Sequence, residues 1–306
     1  MSINILFWFI FSVLICLMLF IDIYVTDHRK SQITLRQSII WSGIWIGVAL
    51  LFNLLILLYI DNGKVLAIQF LSAYLVEKSL SVDNLFVFLM IFEVMNITEI
   101  NQPHILKWGI ITAIVMRIVF ILIGLSLINL FHPIIYFFAA LLMYAAYKMA
   151  FKSDKKIDPD SYKIIKFLKA KYNYISPYDG KKFFEKINNK IHITPLLIAL
   201  LLIEISDLIF AIDSIPAVLA ISKEPFIAIT SNIFAILGLR ALYFALSGIA
   251  QKFYLLKYGV SIILFYIGIK MILSDISPIP TNISLIIILF VLTLSILLSL
   301  WIKKKD

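Results

Sequence analysis

The chain has 306 residues, 62% of them hydrophobic and 15% charged, with a formal net charge of +9. Soluble domains run near about 45–50% apolar, so this composition excludes a soluble globular protein and points to a chain with little mass outside a membrane. A single cysteine, Cys16, excludes an intramolecular disulfide or a thiolate cluster. The positive charge gathers in alternate loops and is topological, so nucleic acid is not an expected partner.

Taken in chain order, nine apolar runs approach the ~20 residues that a bilayer requires. They predict helices near 5–25, 38–60, 65–93, 107–129, 133–151, 193–221, 226–248, 254–273 and 281–302. No Lys or Arg precedes Ile5, and the first run is too long for the apolar core of a cleavable signal, so it is expected to be a retained span. The stretch 152–192 is rich in Lys, contains Pro159 and Pro177, and reads as a solvated basic connector between two halves.

Nine spans put the termini on opposite sides. Twenty of the 27 Lys and Arg fall on the side that receives the C-terminus, while Lys64 and Lys223 fall on the other and five lie inside spans. The positive-inside rule then predicts an N-terminus outside and a C-terminus in the cytoplasm, in a multi-pass plasma (inner) membrane protein. The single integral domain, 1–306, is expected to contain two copies of a three-span unit, 65–151 and 193–273. Tyr144-x-x-x-Lys148-Met149 in the first recurs as Tyr266-x-x-x-Lys270-Met271 in the second, and Arg117 before Gly124 matches Arg240 before Gly248. Because three is odd, the second copy must be inverted, an arrangement found in secondary transporters with polar sites at mid-membrane. Lys148 and Lys270 lie towards span ends, where lysines snorkel. Asp22 and Glu93 are expected to be hydrated near the cytoplasmic ends, and Asn53 to bond between helices.

The expected site is a pair of acidic stretches. Glu77-Lys78-Ser79-Leu80-Ser81-Val82-Asp83-Asn84 lies in the third span, and Asp207-Leu208-Ile209-Phe210-Ala211-Ile212-Asp213-Ser214 in the sixth, with Glu204 one turn before Asp207. A charge at the bilayer centre costs roughly 2.5–3.5 kcal/mol on insertion scales. Five carboxylates at one depth need protons, cations or basic partners, and Lys78, Arg117 and Arg240 are the candidate counter-charges. On an ideal helix Glu77 shares a face with Asn84, and Asp207 with Ser214, while Glu77 and Asp83 are about 120° apart. Either the helices are locally broken or the acids have separate roles. Pro216, which cannot donate to the carbonyl of Ile212, offers a cause for a break in the sixth span. Carboxylates, an amide and hydroxyls form a hard oxygen set suited to Mn²⁺, Mg²⁺ or Ca²⁺. The candidate metal residues are Glu77, Asp83, Asn84, Glu204, Asp207, Asp213 and Ser214; the plainer alternative is that the acids pair with Lys78, Arg117 and Arg240 only to hold the bundle together.

Those two stretches, the continuation Ile215-Pro216-Ala217, and Asn232-Ile233-Phe234-Ala235-Ile236-Leu237-Gly238-Leu239-Arg240 resemble the TerC family of integral membrane proteins. The resemblance runs from about the second span to the ninth. It implies an all-α, polytopic fold of about nine spans and, for some members, Mn²⁺ efflux with intramembrane acids as ligands; other members are linked to tellurium resistance. The expected function is therefore export of a divalent cation, Mn²⁺ foremost, by alternating access. Five acids for one divalent ion motivate coupling to protons. A non-transporting membrane scaffold or assembly factor is the alternative. Direct transport of tellurite is disfavoured because carboxylates repel oxyanions. No catalytic pairing or phosphate loop stands out, so an enzyme is not expected, nor a resident cofactor beyond the transported ion.

Overall fold

A computed structural model describes residues 5–22, 35–131, 133–151, 159, 162–175, 178, 180–187, 189–247, 255–273, 276–277 and 279–301, with the side chains of 82, 83, 86, 213, 246, 247 and 281 outside that description. It is a bundle of apolar helices: α1 Ile5–Phe20, α2 Leu35–Tyr59, α3 Gly63–Val94, α4 Gln102–Leu130, α5 Ile134–Phe151, α6 Lys163–Lys171, α7 Pro195–Ile221, α8 Pro225–Ile236, α9 Leu239–Ser247, α10 Leu256–Ile272 and α11 Thr281–Trp301. Among the described residues six segments are long and apolar enough to cross a membrane: α2, α4, α5, α7, the run Pro225–Ala245 that joins α8 to α9, and Asn282–Trp301 within α11. The protein is thus an all-α, polytopic membrane protein. With 32 residues, α3 is longer than any of these, about 48 Å at 1.5 Å per residue, but it carries Lys64, Glu77, Lys78, Asp83 and Glu93.

The centre is built by α3, α4, α7 and α8. Every residue from Phe226 to Ile236 of α8 is buried, as a helix apolar on all sides must be when other helices surround it. α3 packs on α8 and α7, α4 on α7 and α8, and α5 on α10, while α2 and α11 cover α3 from outside. Phe52 of α2, Phe70 of α3 and Phe226 and Phe234 of α8 form an aromatic cluster with ring centroids 4.8–6.0 Å apart. Lipid-side positions such as Leu51, Leu58, Val115 and Phe290 are exposed, which is where apolar side chains belong when hydrocarbon is the solvent.

Three expectations are corrected. The seventh span is not one helix. It breaks between α8 and α9, where Leu237 is extended (φ −61°, ψ 134°) and Gly238 has φ +80°. A Cβ on Gly238 would lie 2.5 Å from Cδ1 of Trp45 in α2, so both the left-handed backbone and the close approach require glycine there. Conversely, α7 runs unbroken through Pro216. One lost hydrogen bond is outweighed by packing, because Ala217, Val218 and Leu219 are buried and Gly124 of α4 leaves room for Leu219 (a Cβ there would lie 2.7 Å from its Cδ1).

The basic connector is the third correction. Its described residues include regular structure outside the spans. Besides α6 it contains a three-stranded sheet, ordered β1 (Asn173–Tyr174), β3 (Lys190–Ile193), β2 (Phe184–Ile187), with β3 parallel to β1 and antiparallel to β2. Asn189 supplies φ 61° at the β2–β3 turn, a conformation that Asn tolerates. The lobe is tied to the bundle: Asn101 donates Nδ2–H to the Gly180 carbonyl at 3.2 Å, and the His104 ring stacks on Phe183 at 4.9 Å.

Candidate functional site

Four helices deliver one buried polar cluster to the middle of the bundle. Arg117, midway along α4, is 1% exposed, and Glu77 of α3 is fully buried. Arg117 Nη1 donates to Glu77 Oε1 in a short, charge-assisted contact, and also to Ser214 Oγ of α7 at 2.7 Å. Its Nη2 donates to Asp207 Oδ1 of α7 at 3.3 Å. From α8, Asn232 donates Nδ2–H to the other Glu77 oxygen at 3.2 Å. One guanidinium therefore bridges two acids on different helices, a geometry suited to its planar fork.

Asp207 and Ser214 present their oxygens together because they are seven residues, two turns, apart on a helix that Pro216 does not interrupt. On α3 the same spacing puts Asn84, also buried, on the Glu77 face. Three buried polar atoms at the cluster have no hydrogen-bond partner among the described residues: Arg117 Nε, Asn232 Oδ1 and Ser81 Oγ. Ser81 is one turn from Glu77, so its hydroxyl and the Asn232 carbonyl are spare hard oxygens beside the two carboxylates.

Two expected residues, Asp83 and Asp213, have side chains outside the described residues. Among the described residues, no group of three or more His, Cys, Asp or Glu side chains gathers as a metal cluster. The described oxygen set is Glu77, Asn84, Asp207, Ser214, Asn232 and Ser81.

The remaining candidates separate. Glu204 sits one turn before Asp207 on α7, where Thr112 of α4 donates its hydroxyl to Oε1. Gly109 of α4 packs beside the same oxygen, which would lie 3.7 Å from a Cβ built there. Lys78 turns away from the acids and donates to the carbonyls of Ala235 at 3.0 Å and Leu237 at 3.4 Å, at the broken end of α8. Those carbonyls belong to a terminated helix and need outside donors. Arg240 is not a second Arg117. It makes an ion pair with Asp22 at the end of α1 (Nε to Oδ2, 3.4 Å) and donates to the Asp22 carbonyl. Asp22, expected to be hydrated, is only 5% exposed. Lys270, expected to snorkel, is 8% exposed, whereas Lys148 is exposed.

Sequence reasoning missed Asn232, Ser81 and Thr112 as site residues. A buried-helix amide following Thr230 and Ser231 in an otherwise apolar run was the available signal for Asn232. Nothing local marks Thr112, whose role exists only because α4 crosses α7.

Residues 62–306 match the family model described as "Integral membrane protein TerC family". The chain is 41% identical over 306 residues to "Putative membrane-bound redox modulator Alx" of Photorhabdus laumondii, covering 97% of this chain and 95% of that one. The Escherichia coli K12 protein of the same name is 38% identical over 305 residues, with the same coverage. A Rickettsia felis protein described as "Uncharacterized membrane protein" is 38% identical over 293 residues, covering 96% and 97% of the two chains. No solved structure matches.

Proposed function

The chain belongs to the TerC family of integral membrane proteins, and on that premise we propose that it exports a divalent cation, Mn²⁺, across the plasma membrane through the buried cluster centred on Glu77 and Asp207. The observation that carries this reading is a pair of carboxylates held on two helices in the bundle interior, with a ring of hard oxygens around them. Charged groups in a membrane interior mark ion pathways by default. Carboxylate, amide and hydroxyl oxygens suit Mn²⁺ over soft metals.

Arg117 neutralises the acids when no ion is bound. An entering divalent cation takes over Glu77 Oε1 and Asp207 Oδ1, and the guanidinium has to withdraw. Asp83, Asn84 and Asp213, at the matching positions of the two acidic stretches, complete the proposed ligand set. Glu204, held by Thr112, is placed to take a proton as the ion leaves, giving cation/H⁺ antiport.

Alternating access by two inverted units, 65–151 and 193–273 within about nine spans, fits the packing. Relating α3 to α7, α4 to the α8–α9 run and α5 to α10 makes the contacts reciprocal: α3 on α8 is matched by α4 on α7, and α5 on α7 by α3 on α10. The break before Gly238 gives the second unit a discontinuous helix, a recurrent feature of transporter sites. The N-terminus is then outside and the C-terminus cytoplasmic.

The test is Mn²⁺ flux in proteoliposomes containing wild type, Glu77→Gln or Asp207→Asn, with a pH probe inside. Flux that depends on both acids and moves protons in the opposite direction supports the reading, and equal flux in wild-type and empty vesicles sinks it. The relatives' name supports a second reading, redox modulation. The sequence supplies one thiol, Cys16, too few for a dithiol–disulfide cycle within one copy. An effect on redox balance through metal supply requires no such cycle. A scaffold role predicts instead that both acid variants act like wild type.

A further inference from the structure

The repeated Tyr-x-x-x-Lys-Met motif has no part in the cation cluster. In its second copy Tyr266 and Lys270 converge on one residue of α11: Lys270 Nζ donates to Ser284 Oγ at 2.9 Å, and the Tyr266 hydroxyl lies 2.9 Å from the same oxygen. An ammonium has three N–H groups, and Ser284 accepts one. Among the described residues, Lys270 has no carboxylate partner.

Lys270 also lines a cavity of about 70 Å³, several times the ~10–15 Å³ that one water centre needs. Its other walls are Lys223, in the turn after α7, and the apolar side chains of Ile135, Leu219, Met271 and Ile279. The cavity thus sits where the ends of α7 and α10 meet the start of α5. Lys223 is exposed at its rim and Lys270 is buried in its wall. Two cations without a described counter-charge, lining one partly open cavity, create a positive potential that the low-dielectric surroundings strengthen. A buried ammonium of this kind calls for an anion.

We propose that this cavity binds a phosphate group, with Lys270 and Lys223 as its two cationic ligands and the Ser284 hydroxyl holding Lys270 in place. The chemistry serves a phospholipid headgroup, whose glycerol and chains would follow the apolar wall, or free inorganic phosphate. The cavity is separate from the cluster around Arg117, so the proposal stands or falls independently of cation transport.

The purified full-length chain is tested by native mass spectrometry with phosphatidylglycerol against phosphatidylcholine, and by thermal shift with inorganic phosphate against chloride at equal ionic strength. Binding of phosphatidylglycerol alone identifies a lipid site, and a phosphate response identifies a free-anion site. Either should weaken by about tenfold or more in Lys270→Met, because a charged hydrogen bond is lost. It should weaken less in Lys223→Gln and be unchanged in Lys148→Met, the exposed counterpart in the first copy. If Lys270→Met does not fold, Lys223→Glu replaces it, and binding should then be abolished by charge reversal at the rim. No preference for either phosphate probe, or equal binding by wild type and the folded cavity variants, overturns the proposal.

Discussion

Arg117 and Glu77 form a buried ion pair that joins α4 to α3 at the centre of the bundle, and the same guanidinium reaches Ser214 and Asp207 on α7. With Asn232 of α8 bonded to Glu77, the cluster therefore fastens four helices as well as forming the proposed cation site. These two roles have different consequences when one residue is changed.

Arg117→Gln leaves two carboxylates facing one another in a membrane interior. Breaking a buried pair from one side typically costs about 3–5 kcal/mol. The variant is expected to unfold at a clearly lower temperature in detergent, and Arg117→Gln combined with Glu77→Gln should recover part of the loss. A double-mutant cycle on thermal or denaturant unfolding measures that coupling; strictly additive single effects would show that the pair contributes nothing.

Glu77→Gln and Asp207→Asn keep the side-chain shapes and remove the charges. Both are expected to remain folded and to lose Mn²⁺ flux by at least an order of magnitude, since each removes a charged ligand, worth about 1.4 kcal/mol per tenfold. Initial rates in proteoliposomes, with monodispersity in size exclusion as the folding control, decide the matter.

Glu204→Gln retains an acceptor for the Thr112 hydroxyl but cannot release a proton. Mn²⁺ binding is expected to survive while proton counterflow is lost, and Thr112→Val should impair the counterflow less. Simultaneous recording of metal and proton flux is the readout, and an unchanged ratio of protons to Mn²⁺ in Glu204→Gln would remove Glu204 from the coupling.

Gly238→Ala puts a Cβ 2.5 Å from Trp45 at a residue with φ +80°. The left-handed backbone alone costs an L-residue roughly 1–2 kcal/mol, and the overlap adds to it. Trp45→Ala in the same chain should restore the steric part only. Unfolding midpoints of the single and double variants separate the two contributions.

Lys78→Met removes the donor to the carbonyls of Ala235 and Leu237. Leaving those groups unpaired should cost about 1–3 kcal/mol and loosen the end of α8, the helix that carries Asn232. Faster amide exchange near residues 235–240 than in wild type is the expected signature.

Much was legible in the sequence for a simple physical reason. A bilayer imposes length and hydropathy on every span, so α2, α4, α5, α7 and α11 could be located from apolar runs alone, and so could the rarity of the acids among them. The two-turn spacing of Asp207 and Ser214 was sufficient to place both on one face, because helix periodicity is local. Where local reasoning failed, a long-range contact had intervened. Pro216 signals a break, yet packing against α4 at Gly124 keeps α7 whole. Nothing next to Gly238 in sequence announces Trp45, almost two hundred positions earlier, and it is there that the helix breaks.

The sequence by itself therefore determined that this is a polytopic helical membrane protein with acids in its interior, since composition and periodicity follow from the solvent and the helix. Only the tertiary structure decided which charges meet. Arg117 and Arg240 look alike in local sequence, yet one bridges Glu77 and Asp207 while the other holds Asp22. Partnership between charges depends on which helices cross at which height, and that is a property of the packed bundle rather than of any segment in it.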